Sequence, residues 1–244
     1  MLDGQGLAVS VGNDTAVSAY NKAVTEWLDY KISSMRTLKQ AIELEPDFCI
    51  AHCFRGYLFV TFNSAAVLPA AVASLTKAVA LAGTASEREQ RHVAALRHLL
   101  EGAPHRACAC WDEITADYPH DILALRMHHY TCFWSGYRQQ LSALPAAVLP
   151  AWDDTVPHYG NLLGMVAFGL EELGLYDMAE RYGRDAADQN PDDLWAVHAV
   201  AHVMEMQQRA ADGIKWLDYS LDHFRDFNPF RGHIWWHKGL FLIE

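Results

Sequence analysis

The chain has few basic residues. Its 19 Lys and Arg stand against 30 Asp and Glu, which gives a formal net charge of −11. A protein that binds nucleic acid or an anionic lipid surface carries a basic patch, so we expect neither partner. The sequence also lacks an uninterrupted apolar run of about 18 residues, and residues 1–14 lack the basic start of a secretion signal. These absences predict a cytoplasmic protein without a membrane span.

Cysteine is sparse and shows no paired motif. The five cysteines are odd in number and include no CxxC pair, which argues against a disulfide framework and for thiols in a reducing compartment. Cys49 and Cys53 lie one helical turn apart, a spacing that suits a metal ion or core packing. Packing is the commoner use, because cysteine is among the most buried residue types.

A repeat of about 34 residues is the strongest pattern that the chain does contain. The matched positions are Gly102, Ala107 and Pro119 in one copy and Gly174, Ala179 and Pro191 in another. Such a pattern is typical of a helical hairpin in which Gly closes the first helix, Ala allows close contact, and Pro starts the next repeat. Ala95 and Ala167, seven residues before each Gly, add a second close contact.

Helical periodicity along the whole chain predicts an all-α fold. We expect a tetratricopeptide (TPR)-like α-solenoid of about six to seven antiparallel helix pairs, forming one array over residues 1–244. A first sub-array covers about residues 10–144, a proline-rich ordered loop covers 145–160, and a second sub-array covers 161–244. Asn13 and the Ser86–Glu89 segment are predicted helix caps. One late helix is predicted to run from Ala211 to Phe224.

Histidines fall on the first helix of successive predicted pairs, at phases that face a shared concave groove. His198, His202 and Glu205 take the fifth, ninth and twelfth positions of their repeat, and all three are candidate catalytic residues. The candidate ligand-binding residues are His52, Glu89, His92, His129, Trp195, His233, Trp236 and His237.

Two histidine pairs are chemically specific. His198 with His202, and His233 with His237, are four residues apart, so each pair puts two imidazoles on one helix face. Such pairs can chelate a divalent transition metal, transfer a proton, or form hydrogen-bonded packing, and the sequence leaves all three open. Glu205 can ligate, orient a ring or act as a base. The HExxH motif of zinc proteases is absent, because residue 199 is Ala.

The groove chemistry favours a small molecule as the partner. Residues 194–208 contain no Lys or Arg, whereas TPR grooves that bind peptide carboxylates use basic clamps. An apolar lining with a few convergent polar groups is typical of small-ligand pockets. The alternative is an interaction scaffold that binds a peptide in the groove without catalysis. A groove closed by the loop near Tyr159 would favour the first, and an open channel the second.

The last predicted helix carries apolar residues that need a partner. These are Ile234, Trp235, Leu240, Phe241 and Ile243, and no later helix follows them. Repeat arrays normally end in a polar cap. We therefore expect either a longer solenoid or self-association through this uncapped helix.

A set of short motifs resembles the tetratricopeptide repeat protein 38 family. They include the runs at 88–93, 123–125, 168–170, 176–180 and 190–191, together with His52, Trp111, His129 and Trp195. The most distinctive part is the HxxxHxxEM run from His198 to Met206 with the later HxxxH pair. The resemblance covers about residues 10–244 and implies a TPR-like solenoid with a motif-rich groove. Members are nearly twice as long, so it also implies that the chain is the N-terminal part of one.

Overall fold

A computed structural model describes residues 1–221 and 229–243, with the side chains of residues 219–221 left out. Within this part of the chain there are thirteen α-helices and no strand, and the β pairing is one isolated bridge between Leu2 and Ala8. The all-α prediction is confirmed. The predicted helix end at Phe224 and the final residue, Glu244, lie outside the described residues.

The helices follow one another through short connections. They are α1 (Asp14–Leu28), α2 (Ser34–Leu44), α3 (Cys49–Thr61), α4 (Leu68–Leu81), α5 (Glu87–Leu100), α6 (Pro104–Asp117), α7 (Ile122–Ser135), α8 (Arg138–Val148), α9 (Tyr159–Glu172), α10 (Tyr176–Gln189), α11 (Leu194–Met206), α12 (Ala210–Leu221) and α13 (Arg231–Ile243). Short 3-10 helices cover Ala65–Val67, Ala82–Thr84 and Leu149–Ala151.

The chain divides into two compact units. The first comprises Met1–Thr25 and Ser33–Gly136, and the second comprises Glu26–Ile32 and Tyr137–Glu244. In the first unit α3 packs against α4 and α5, α5 against α6, and α6 against α7. In the second unit α9 packs against α10 and α11, and α11 packs against α12 and α13.

The expected loop over residues 145–160 is shorter in the structure. Pro145 lies inside α8, and a 3-10 helix continues the chain to Ala151, so irregular backbone covers only 152–158. A proline removes one helical hydrogen bond. The Pro145 ring is buried, so its packing offsets that loss. One division between the two compact units falls at Gly136.

The glycine positions of the repeat have the backbone geometry that the pattern requires. Gly102 and Gly174 have φ values of 72° and 76°, in the left-handed region that favours glycine. Gly136, 34 residues after Gly102, has a φ of 73°. The four matched alanines are fully buried, as close helix contact requires: Ala95, Ala107, Ala167 and Ala179.

Helix caps explain where several helices start. The Ser86 side chain accepts from the backbone N–H of Glu89, and the Glu89 carboxylate accepts from the Ser86 N–H, so the predicted capping box is confirmed. Asn13 accepts from Ala16 N at 3.1 Å and starts α1. Asp193 starts α11 by accepting from Trp195 N at 2.9 Å.

The expectation that the apolar residues of α13 lack a partner within the chain was wrong for two of them. Ile234 and Phe241 are buried, because they lie two turns apart on the face that packs against α11 and α12. Phe241 contacts Gly213 so closely that a Cβ there would meet the ring. Trp235 and Ile243, on the other face, are exposed as expected.

One helical run meets the length and composition of a membrane span. It covers Ala65–Thr84, and 17% of its most apolar window is buried. The run includes Lys77, whose ammonium pairs with Asp47 at 2.8 Å. One such run, judged by length and composition alone, is weak evidence for a membrane span.

Candidate functional site

Four imidazoles meet where α11 and α13 pack together in the second unit. His198 and His202 come from α11, and His233 and His237 come from α13. One ring atom of each lies within 4.8 Å of the others. His198 and His237 are buried, His202 is half-buried and His233 is exposed, so the cluster has a buried floor and an open edge.

Two Nε2 atoms of the cluster lie within hydrogen-bonding distance of a third. His233 Nε2 lies 2.9 Å from His198 Nε2 and 3.1 Å from His237 Nε2. His237 Nδ1 lies 2.9 Å from Glu205 Oε2, so it carries a proton that it donates to this carboxylate. The Nε2 atom of a neutral His237 therefore presents a lone pair to the cluster.

This convergence leaves one contact without a hydrogen bond. If His233 Nε2 carries a proton, this N–H can point well at only one of its two neighbours, and the other neighbour receives at best one branch of a bifurcated hydrogen bond. If it carries none, it faces the lone pair of His237. A cation that accepts lone pairs from several rings satisfies all of these atoms together. His198 Nδ1, on the far side of its ring, is buried and has no hydrogen-bond partner among the described residues.

A second carboxylate faces His202. Glu171 Oε2, on α9, lies 3.5 Å from His202 Nδ1, and its side chain is 6% exposed. Glu205, which was expected to ligate, orient a ring or act as a base, contacts His237, and Glu171 is the carboxylate next to His202. Glu171 stands 34 residues before Glu205, the length of the repeat. Because Glu171 and Glu205 occupy the same repeat position, this spacing is the sequence signal from which Glu171 could have been predicted.

The surroundings keep the rings neutral. Burial, followed by the neighbouring histidines, lowers the pKa of His237 to about 3 and holds the pKa of His198 well below its usual range. Burial also lowers the pKa of His233. Phe168 stacks on the His198 ring at a centroid distance of 5.5 Å. Neutral imidazole is the form that binds metal, so no proton has to leave these three rings first.

The candidate tryptophans frame the cluster on two sides. Trp195 is buried, and its ring centroid lies 4.4 Å from Phe168 and 5.4 Å from His198. Trp236 stacks on His233 at 5.5 Å and is 55% exposed, so it forms part of the open edge.

Two other candidates, His92 and Glu89, belong to a network inside the first unit. His92 Nε2 lies 3.0 Å from Asp121 Oδ2, and His92 Nδ1 lies 3.1 Å from the Tyr57 hydroxyl. Glu89 is fully buried, caps α5 and accepts from Ile50 N. Neither residue is a member of the four-histidine cluster. Their buried partners account for both side chains as structural elements.

The remaining histidine candidates are also buried in the first unit. His52 Nε2 lies 2.9 Å from the carbonyl oxygen of Pro46, and burial lowers the His52 pKa. His129 is fully buried on α7. The structure brings neither of them to the four-histidine cluster.

A separate cavity of about 580 Å³ lies elsewhere in the second unit. It is polar and lined by Arg184, Asp188, Arg209, Asp212, Lys215 and Trp216. None of the predicted ligand-binding residues lines it. The small-molecule prediction for the histidines therefore gains no support from this cavity.

Chemically, the cluster offers neutral nitrogen ligands to a cation and two carboxylates that can fix ring orientation. No protein-family model matches the chain, so the assignment of a function depends on this geometry.

Proposed function

We propose that this chain binds a divalent transition metal ion, zinc in the first instance, through His198, His202, His233 and His237. The observation that carries the proposal is that His198 Nε2 and His237 Nε2 lie 2.9 and 3.1 Å from His233 Nε2. Zinc–nitrogen bonds of about 2.0–2.1 Å in a tetrahedral site separate ligand nitrogens by about 3.3–3.4 Å. The two short separations need to lengthen by only a few tenths of an ångström, and the ligand nitrogens of all four rings lie within 4.8 Å of one another.

The carboxylates support the same proposal. Histidines that bind metal usually donate their second N–H to a carboxylate or a carbonyl, which fixes the ring and raises its basicity. Glu205 does this for His237 at 2.9 Å, and Glu171 faces Nδ1 of His202 at 3.5 Å. His237 thus has the hydrogen-bonded outer partner that a zinc site needs, and Glu171 Oε2, which makes no hydrogen bond among the described residues, lies close enough to become the partner of His202.

His202 is the ligand that sets the site's reactivity. Its side chain is 26% exposed, and it lies at the half-buried margin of the cluster. With four histidines bound the zinc shell is closed, which is typical of a structural site. Displacement of His202 by water would open one position beside the Glu171 carboxylate, and acid–base chemistry would depend on that step.

We further propose a TPR-like array as the scaffold. In each unit, the first helix of a pair packs against both its own partner and the next first helix, as α3 does with α4 and α5 and α9 does with α10 and α11. The left-handed glycines and buried alanines fit that repeat. The ligands then come from the first helices of two consecutive pairs, α11 and α13.

Metal titration tests this function. The protein is stripped with a chelator, and zinc binding is measured by calorimetry with elemental analysis of the reloaded protein. The variants His233→Ala and His237→Ala should each weaken zinc binding at this site by at least about 100-fold, because each removes a ligand. His105→Ala is the matched control, because His105 is exposed on α6 outside the cluster.

Cobalt absorption is the second measurement, because it distinguishes imidazole ligands from thiolate ligands. Cobalt held by imidazoles absorbs in the visible region without a sulfur charge-transfer band. Loss of that signal in His233→Ala, with unchanged helical circular dichroism, would support the proposal. A folded wild-type protein that takes up no zinc, cobalt or nickel at the four histidines would overturn it, and the cluster would then be hydrogen-bonded packing in an interaction scaffold.

A further inference from the structure

A second group of metal-ligating side chains lies in the first unit, between α6 and α7. Cys108 and Asp112 stand one turn apart on α6, and His128 and Cys132 stand one turn apart on α7. The two helices pack against each other. This packing brings the ligand atoms of Cys108, His128 and Cys132 within 4.8 Å of one another and puts Asp112 beside His128, with the spacing C-x3-D-x15-H-x3-C.

Three of the distances between these side chains are close to those around a tetrahedral ion. Zinc at about 2.3 Å from sulfur and about 2.0 Å from nitrogen or oxygen separates its ligands by about 3.8 Å for S–S, about 3.6 Å for S–N and about 3.3 Å for N–O. In the structure Cys108 Sγ lies 3.8 Å from Cys132 Sγ, and Cys132 Sγ lies 3.6 Å from His128 Nε2 and 3.7 Å from His128 Nδ1, so the His128 ring has to turn before Nε2 faces an ion. His128 Nε2 lies 3.3 Å from Asp112 Oδ1.

The burial of the group also suits a structural metal. Cys108 is 6% exposed, His128 is 1% exposed and Cys132 is fully buried. The Asp112 side chain is 54% exposed and forms the open side through which an ion can enter. Thiolate ligands in a dry site select soft or borderline ions, of which zinc is the commonest in proteins.

We propose that Cys108, Asp112, His128 and Cys132 form a structural zinc site that joins α6 to α7. This site is separate from the four-histidine cluster and uses a different donor set. The hydrogen bond with Cys108, together with burial, raises the pKa of Cys132, and burial lowers the pKa of His128 to about 4. A bound cation supplies the positive charge that stabilises the thiolates, and zinc binding releases their protons to solvent.

Cobalt substitution tests this site independently of the histidine cluster. The full chain is reduced, stripped with a chelator and titrated with Co²⁺. Thiolate ligation should give an intense sulfur-to-cobalt band in the near ultraviolet, which zinc then removes by displacement. Cys108→Ser and Cys132→Ser should each reduce the band, and the double variant should abolish it. His233→Ala should leave it unchanged.

Cys110→Ser is the matched control, because Cys110 lies on α6 between the two proposed ligands but is not a member of the group. If the cysteine variants fail to fold, the exposed Asp112 provides the test. Asp112→Asn should retain its helical circular dichroism and weaken zinc binding by at least about tenfold.

Two results would overturn the proposal. One is a reduced protein with five titratable thiols and no sulfur-to-cobalt band. The other is a protein purified without reductant that has three titratable thiols and a Cys108–Cys132 disulfide, with no metal bound after reduction. A sulfur-to-cobalt band in a protein whose four histidines bind no metal would support this site. It would contradict only the proposed metal binding by the histidine cluster.

Discussion

Asp121 joins α5 and α7 with one buried carboxylate. Its Oδ1 accepts from Ala124 N and caps α7, and its Oδ2 accepts from the Arg88 guanidinium at 2.8 Å and contacts His92 Nε2 at 3.0 Å. Arg88 also pairs with Asp3 at 3.0 Å. Burial alone would raise the pKa of Asp121, but His92 and Arg88 outweigh it and hold that pKa well below its usual range.

The variant Asp121→Asn should make the protein less stable and less sensitive to acid. At neutral pH it leaves Arg88 with one carboxylate fewer, which should cost about 3 kcal/mol of unfolding free energy. The folded pKa of Asp121 is far below its unfolded value of about 3.9, so its stabilisation is present above that value, begins to be lost below about pH 5, and continues to be lost until the pH falls through the folded pKa. The raised pKa of Asp3 acts in the opposite direction in both proteins.

Urea unfolding at several pH values measures this effect. Asp117→Asn is the control, because Asp117 is 58% exposed in its pair with Arg91 and should contribute less than about 1 kcal/mol. Equal acid slopes in the wild type and in Asp121→Asn would contradict the argument.

Glu205 should affect metal affinity without being a ligand. Glu205→Gln keeps the side-chain shape but removes the charge that orients His237, and should weaken zinc binding at the cluster by about 10- to 100-fold. The measurement is competition with a chelator of known affinity, with Glu43→Gln as the control because Glu43 is 63% exposed. An unchanged affinity in Glu205→Gln would show that this hydrogen bond does not tune the site.

At the residue scale, the sequence predicted the two HxxxH pairs but not the carboxylates that reach histidines from other helices. The two HxxxH pairs could be identified because residues four apart share a helix face. Glu171 and Asp112 could not be identified in the same way, since each meets its histidine from another helix. Repeat phase also placed Glu89 in the groove, although its capping box holds it in the core.

At the helix ends, the repeat determines the backbone conformation even where the residue type differs. Gln208 stands 34 residues after Gly174 and has a φ of 57°, in the left-handed region that Gly102 and Gly174 also occupy. Its N–H donates to Glu205 O at 3.0 Å, and Arg209 N donates to Met204 O at 2.8 Å, which closes α11. A non-glycine residue is strained in this conformation by about 1–2 kcal/mol.

Gln208→Gly should therefore stabilise the protein. Relief of backbone strain outweighs the added entropy of the unfolded chain, so the unfolding free energy should rise by about 0.5–1 kcal/mol. The adjacent Gln207→Gly is the matched control, because Gln207 has a φ of −94° and should lose stability when replaced by glycine. Thermal and urea unfolding of both variants measure the difference. A loss of stability in both would show that the strain at Gln208 is negligible.

The existence of the helices was largely predictable from the sequence. Which of their residues are buried against other helices was less predictable. Capping residues, left-handed glycines and apolar periodicity are local signals, and they predicted the all-α fold. The burial of Phe241 depends on Gly213 of α12, which leaves room for the ring. Pro145 indicated a loop, but packing around α8 keeps it helical. Both outcomes are set by tertiary contacts, so local patterns could not show them.

At the scale of the whole molecule, exposed apolar surface on α13 predicts self-association. Trp235 is 47% exposed, Leu242 is 64% exposed and Ile243 is 81% exposed. The double variant Leu242→Ser with Ile243→Ser should lower the fraction of dimer or aggregate in sedimentation velocity, because it removes apolar area that association buries. Phe62→Ser, at a 57% exposed phenylalanine of the first unit, is the control.

A wild-type chain that stays monomeric over the accessible concentration range would contradict this expectation. Phe241→Ser is not a suitable test, because Phe241 is 2% exposed and its replacement should destabilise the fold by several kcal/mol.

The division of the four histidines between α11 and α13 also has a consequence for local opening. Apart from the histidine contacts, α13 is held by few buried side chains, among them Ile234 and Phe241. A metal ion bound to both helices would have to dissociate before α13 could detach, so zinc should slow amide hydrogen exchange along residues 231–243. Exchange in α9 and α10 should change little. A helix with four exposed large apolar side chains, Trp235, Trp236, Leu242 and Ile243, would then open more slowly with the metal bound than without it.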